Sequence, residues 1–191
     1  MLSGLVFPGT GLHSPKDWRF TAGSYGKPQL SAGQLDIDLR FNLSHTHGMV
    51  AVAIAIGLDV GIDVERIERR VADDMAIAEA YFSPSEQAQL HAITDPAQRR
   101  LAFIDLWTAK EAFIKALGRG LSMPLDSFSV DLLRACYTEK CLPAEALHLS
   151  WTLRRWQSAD HLVALAIGSD PAAFPPRVSY TAQNGSVDVM Q

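Results

Sequence analysis

The sequence predicts an α+β fold, and three observations carry that prediction. Short alternating strands run between Phe41 and Glu65, a helical stretch occupies Asp73 to Leu117, and hairpin-linked strands return after Gly120. A length of 191 residues suits one domain with a real hydrophobic core, including one built from two similar halves.

The first 17 residues are rich in Gly and Pro without periodicity and read as an irregular arm. Trp18 to Phe20 lead into SYGKPQL, a turn-like stretch in which Gly26 and Pro28 flank Lys27, followed by a polar connector to Asp38. FNLSH and MVAVAIAI then read as two strands, the second with Val50, Val52, Ile54 and Ile56 on one face and small residues on the other. The turn GLDVG leads into a third strand. From Asp73 the pattern turns helical, and SPSE at Ser83 to Glu86 is a capping box with Pro84 at the first helical position. Asp95 caps and Pro96 opens a long helix to about Leu117, which Gly118 and Gly120 end. SFSVDLL, LHLSWTLRRW, HLVALAIGS and VSYTA read as strands, with QSAD as the hairpin turn between Trp156 and His161.

Composition narrows the function classes. With 48% hydrophobic and 20% charged residues the chain is of globular type, and no apolar run reaches the roughly 18 residues of a membrane span. MLSGLVFP holds no Lys or Arg and does not read as a secretory signal, so the expected address is the cytoplasm. A formal charge of −4 argues against nucleic acid as the main partner. Cys136 and Cys141 have no second Cys or His pair at zinc spacing and are expected to be reduced, structural thiols. His47, His91, His148 and His161 are taken as structural, and no Ser, His, Asp arrangement supports nucleophilic catalysis.

The chemistry concentrates in GIDVERIERR, Gly61 to Arg70. In a strand Asp63 and Glu65 share a face, while Ile62 and Val64 point to the opposite side, toward a core. Two like charges so placed need a cation between them. Either a hard divalent ion such as Mg²⁺ supplies it, or this is an exposed edge whose carboxylates pair with Arg66, Arg69 or Arg70. On the helix that carries LWTAKEAFIKALGRG, Phe103, Leu106, Trp107, Phe113, Ile114 and Leu117 form one apolar arc, with Trp107 a packing residue and Glu111 at the margin. Lys115 stands one turn beyond Glu111, either as an ordinary helix pair or as a phosphate-neutralising neighbour of a third metal carboxylate. Lys27 in YGKP and His45 in FNLSH sit beside turn or strand-end residues, where a ligand can be faced.

In order, YGKP, FNLSHTHGMVAVAI, GIDVE, FSPSE and LWTAKEAFIKALGRGLSMPLDSFSV closely resemble the Sfp-type 4′-phosphopantetheinyl transferases, from Trp18 to about Val130 and more loosely to about Ser169. The resemblance implies transfer of phosphopantetheine from coenzyme A, the substrate, to a serine of an apo acyl or peptidyl carrier protein, with Mg²⁺ as cofactor and adenosine 3′,5′-bisphosphate released. This is holo-[acyl-carrier-protein] synthase activity. By position, Asp63, Glu65 and Glu111 match the metal carboxylates; Lys27, Pro28, Ser44 and His45 match residues around the nucleotide and its phosphates; Lys110 and Lys115 match the helix lysines that serve the cofactor. Glu111 is the implied general base and Lys115 the cation at the pyrophosphate. The implied fold is two similar α+β halves about a pseudo-twofold axis, acting as a monomer. Residues 1–17 would be an arm, 18–66 a shortened N-terminal half, 67–170 the C-terminal half and 171–191 a strand and tail. A Mg²⁺-dependent phosphohydrolase on the same carboxylates, or a module that binds carrier or coenzyme A without turnover, are the competing expectations.

Overall fold

The computed structural model describes residues 16–69, 73–137, 142, 144–172, 176–181 and 187–190. Its strands are β1 (Phe20–Ala22), β2 (Pro28–Leu30), β3 (Leu39–Thr46), β4 (Met49–Ile56), β5 (Asp59–Arg66), β6 (Val130–Asp131), β7 (Cys136–Tyr137), β8 (Ser150–Ser158), β9 (His161–Ser169), β10 (Val178–Thr181) and β11 (Val187–Met190). Between β5 and β6 lie α1 (Asp74–Tyr81), α2 (Pro84–His91) and α3 (Pro96–Leu117).

Local chemistry sets the helix ends. Asp73 caps α1 by accepting from Met75 and Ala76 N–H groups, and Ser83 and Glu86 form the reciprocal capping box of α2. Asp95 accepts from Gln98 N–H at the start of α3. At its far end Gly118 takes φ 68°, the left-handed conformation that only glycine adopts cheaply, and its N–H returns to Ile114 and Lys115 carbonyls.

All described strand pairs are antiparallel, and the central sheet has the order β5-β9-β8. Asp63 lies opposite Ala164 and Gly61 opposite Ala166, so small residues surround the carboxylate on one face of this sheet. Helix α3 lies on that face, with Leu106, Phe113 and Ile114 in a cluster that includes Leu153, Ala164 and Ala166. The opposite face carries Val60, Ile62, Val64, Val163, Leu165 and Ile167, packed with Ala53 of β4. Ile62 and Val64 therefore point into a core, as their alternation with Asp63 and Glu65 predicts.

The β3–β4 hairpin stands beside β5 without joining its backbone ladder. Asn42 Oδ1 accepts from Ile62 N–H at 2.9 Å, so a β3 side chain satisfies a donor on the open edge of β5. On β4 the small-residue face packs inward, whereas Val50, Val52, Ile54 and Ile56 are exposed among the described residues. The β1–β2 hairpin is absent from the sequence reading, because three-residue strands leave no periodicity to detect. SFSVDLL shortens to the two residues of β6: Leu125–Ser127 form a 3-10 turn, and the Phe128 carbonyl and Val130 N–H are satisfied by Lys110 and Glu86 instead of by a strand. β5, assigned to the N-terminal half, pairs with β9 along its whole length, so the sheet crosses the expected boundary at residue 66. Cys136 lies in β7 as a free thiol, and Cys141 and Arg70 lie outside the described residues. Among the described residues no helix is long and apolar enough to cross a membrane.

Gly61 governs how α3 meets β5. A Cβ there would lie 2.0 Å from the Ala112 carbonyl oxygen and 2.2 Å from Ala116 N, both backbone atoms that cannot swing away. Gly61→Ala is expected to destabilise the chain by about 3 kcal/mol or more, because the whole helix must lift. Thermal or denaturant unfolding of the variant measures it.

Candidate active site

The close seating of α3 on β5 brings Glu111 and Lys115 beside Asp63. Leu43, Ser44, His45, Asp63, Val64, Glu65, Arg69, Trp107, Glu111 and Lys115 line one cleft of about 460 Å³. Strand β3 contributes Ser44 and His45, β5 contributes the two alternating carboxylates, and α3 contributes Trp107, Glu111 and Lys115 one turn apart.

Asp63 is 4% exposed and is held from two sides. Lys115 Nζ donates to its Oδ1 at 2.6 Å and to Ser44 Oγ at 2.9 Å, and the Ser44 hydroxyl donates to the same Oδ1 at 2.8 Å. Lys115 thus spans from helix to strand instead of pairing along the helix with Glu111. Glu65 has a different counter-ion: Arg69 Nη1 meets its Oε1 at 2.5 Å. The ion-pair reading of these carboxylates is correct for Arg69, while Arg66 pairs with Glu68 and Asp160.

Two carboxylate oxygens have no such arrangement. Asp63 Oδ2 and Glu111 Oε1 are buried and accept no hydrogen bond among the described residues. Orphaned buried acceptors cost free energy unless a partner arrives. Burial first, then repulsion from Asp63, holds the Glu111 carboxyl above its ordinary range. Burial likewise raises Glu65, with Arg69 opposing it. Anionic oxygens from three carboxylates match the donor preference of Mg²⁺, and the two orphaned atoms are suited to a hard cation. The three are not a finished cage. Among the described residues no three acidic, His or Cys side chains converge on one point at ligand distance. Among the described residues Asp63 pairs with Lys115 and Glu65 with Arg69.

The remaining sequence candidates divide. Lys27 and Pro28 line a second cleft, of about 470 Å³, with Tyr25, Arg40, Asp59 and Gly118. Lys27 Nζ donates to the carbonyls of Val60 at 3.0 Å and Ala116 at 2.8 Å, tying β5 to the last turn of α3, where a cation complements the helix dipole. Burial lowers its pKa. Its ammonium is thus committed to backbone and does not reach the carboxylate cleft. Lys110, matched by resemblance to the cofactor lysines, lines neither cleft. Lys110 and Glu86 are each 0% exposed and paired at 2.6 Å, and Lys110 Nζ also donates to the Phe128 carbonyl and lies 4.1 Å over the Phe128 ring. This lysine fastens α2 and the segment before β6 to α3 inside the core.

Trp107 packs against Phe82 and Phe103 as the apolar arc predicts, yet it also walls the cleft, which a helical wheel does not show. Arg69 enters the site through the Arg69 N–H to Arg66 carbonyl bond at 2.9 Å, a turn closing at the end of β5. Its i+4 spacing from Glu65 was the available signal.

The 4′-phosphopantetheinyl transferase superfamily matches residues 59–166, which hold β5, all three helices, β8 and the first six residues of β9. The chain belongs to that superfamily. It is 41% identical over 118 residues to a 4′-phosphopantetheinyl transferase of Bacillus subtilis, covering 62% of this chain and 49% of that one. It is 40% identical over 117 residues to the Sfp 4′-phosphopantetheinyl transferase of Bacillus subtilis strain 168, covering 61% and 48%. The Sfp-type resemblance is borne out, and the chain spans about half the length of these relatives. A solved holo-[acyl-carrier-protein] synthase of Thermotoga maritima superposes with a TM-score of 0.46 at 19% identity, over 66% of this chain and 70% of that one.

Two expected outcomes test this electrostatic picture. Because the folded pKa of Glu111 lies above its unfolded value, the folded state holds the extra proton, and stability falls as pH rises between the two values. Glu111→Gln should therefore melt higher than the parent in chelator at neutral pH, with the difference closing toward about pH 4, where both forms are neutral. Lys110→Ala leaves Glu86 buried and unpaired, and should cost about 3 to 5 kcal/mol in denaturant unfolding.

Proposed function

We propose that this chain transfers the 4′-phosphopantetheine group of coenzyme A to a serine hydroxyl of an apo acyl or peptidyl carrier protein, working in the cytoplasm. The observation that carries the reading is the pairing of two orphaned buried oxygens, Asp63 Oδ2 and Glu111 Oε1, in one cleft with the Lys115 ammonium. Carboxylates and a fixed cation around one space are the parts that phosphoryl transfer needs.

Asp63, Glu65 and Glu111 are the residues that would hold Mg²⁺, which when bound supplies Lewis-acid stabilisation of charge on the phosphate oxygens. Lys115 then lies beside the pyrophosphate, fixed by Asp63 and Ser44, and offsets charge on the leaving oxygen. The serine oxygen forms its bond to the pantetheine-side phosphorus as the bond from that phosphorus to the bridging oxygen breaks. Adenosine 3′,5′-bisphosphate leaves with the electron pair. Glu111 takes the serine proton from its place in the cleft beside Asp63 and Lys115. His45, exposed at the end of β3, faces the same cleft and would meet a phosphate oxygen. Lys27 and Pro28 mark the second cleft as the nucleotide end, with Lys27 acting through the backbone it holds in place.

The test is the mass of an apo carrier protein after incubation with the chain and coenzyme A, with and without Mg²⁺. A gain of one phosphopantetheine that depends on Mg²⁺ supports transfer, whereas cleavage of the coenzyme A pyrophosphate with an unchanged carrier supports hydrolysis. Asp63→Asn is expected to keep the helical circular dichroism of the parent and to lower transfer by roughly two to three orders of magnitude. Full activity of this variant at ordinary Mg²⁺ would remove the metal assignment.

A further inference from the structure

Arg69 is placed with more care than a surface ion pair requires. Its backbone N–H closes the turn onto the Arg66 carbonyl at 2.9 Å, and Arg100 of α3 donates a side-chain N–H to the Arg69 carbonyl. Arg100 also pairs with Asp74, so the turn after β5 is tied to both α1 and α3. The Arg69 guanidinium then lies 5.2 Å over the Trp107 ring, and that ring is itself braced by Phe82 and Phe103. Cation–π stacking gives the guanidinium a resting place that does not depend on its anion. Its anion is Glu65 Oε1 at 2.5 Å, with the two side chains 36% and 16% exposed. Arg69 also acts on Glu111 through charge, favouring the ionised carboxyl.

We infer that Arg69 is an exchangeable counter-cation: it neutralises Glu65 while the metal site is empty, yields that carboxylate to a divalent ion, and from its seat on Trp107 then meets the anionic diphosphate brought into the cleft. The inference rests on the metal reading of Asp63, Glu65 and Glu111 given above. The chemistry follows from Coulombic competition in a half-buried cleft. Glu65 cannot give its full charge to a divalent ion and to a guanidinium at once, so Arg69 competes with metal when no anion is present. Once a diphosphate enters, the same guanidinium meets its oxygens with the planar fork that suits them. Glu65 thus has a partner in each state, and Trp107 keeps the arginine near during the exchange.

This arrangement predicts effects of opposite sign, which a merely structural ion pair would not produce. Titration calorimetry of the full chain would measure Mg²⁺ alone, and then inorganic pyrophosphate at saturating Mg²⁺. Arg69→Gln should bind Mg²⁺ about tenfold more tightly and pyrophosphate about tenfold more weakly than the parent. Arg69→Lys keeps the charge but loses the planar stack and fork, and should fall between the two. Equal affinities in Arg69→Gln and parent, or shifts of the same sign for both ligands, would overturn the proposal. Asp63→Asn separates the two levels. If it abolishes Mg²⁺ binding while Arg69→Gln leaves that binding unchanged, the metal site stands and the role of Arg69 fails. If Asp63→Asn binds Mg²⁺ as the parent does, the metal reading fails and this proposal fails with it.

Discussion

The backbone of α3 lies directly on the backbone of β5 at Gly61, with no side chain between them. That contact sets the height of the helix above the sheet, and the site follows from it. Ala164 and Ala166 on the neighbouring strand keep the same face low, so the helix is supported over two strands. At this separation Lys115 reaches across to Asp63 and Ser44, and Glu111 overhangs the alternating carboxylates of β5. A side chain of even one carbon at position 61 would widen the gap and pull apart groups whose chemistry depends on hydrogen-bond distance.

The same seating concentrates negative charge. Three carboxylates face a cleft that also contains one lysine and one arginine, so the protein carries its own partial neutralisation. The compensation is incomplete at Asp63 Oδ2 and Glu111 Oε1, and the raised carboxyls of Glu65 and Glu111 record the unpaid desolvation. Unfavourable electrostatics of this kind are stored in one place and balanced by packing elsewhere, here by the apolar clusters on the two faces of the central sheet. A cation placed among these oxygens would relieve the repulsion.

Much of this was legible in the sequence because the relevant signals are local. The caps at Ser83 and Asp95, the stop at Gly118 and the alternation of Ile62 and Val64 with Asp63 and Glu65 each follow from geometry within a few residues. What the sequence hid depends on partners distant along the chain. Asn42 satisfies the Ile62 N–H across 20 residues, Lys27 binds the Ala116 carbonyl across 89, and Glu86 draws the Val130 N–H away from a strand across 44. Val50, Val52, Ile54 and Ile56 form the larger apolar face of β4, yet the alanine face packs inward, because β5 and β9 already fill that interior with branched side chains. Hydrophobic alternation identifies the strand without saying which side the remainder of the fold can accept.

Lys110 and Lys115 show where reading residues by resemblance meets its physical limit. Both belong to WTAKEAFIK, and five residues at about 100° each leave them roughly 140° apart around the axis of α3. One must face the core if the other faces the cleft. The core side offers Lys110 a buried carboxylate, a carbonyl and two aromatic faces, which compensate an ammonium that has lost all its water. The cleft side offers Lys115 a buried acidic partner while leaving the lysine itself 28% exposed, so its charge remains open to solvent. Glu111 follows Lys110 directly, and its own direction is fixed once its neighbour is locked to Glu86 and Phe128. The burial of Lys110 against Glu86 and Phe128 thus helps to fix the rotation of α3 that turns Glu111 toward the cleft.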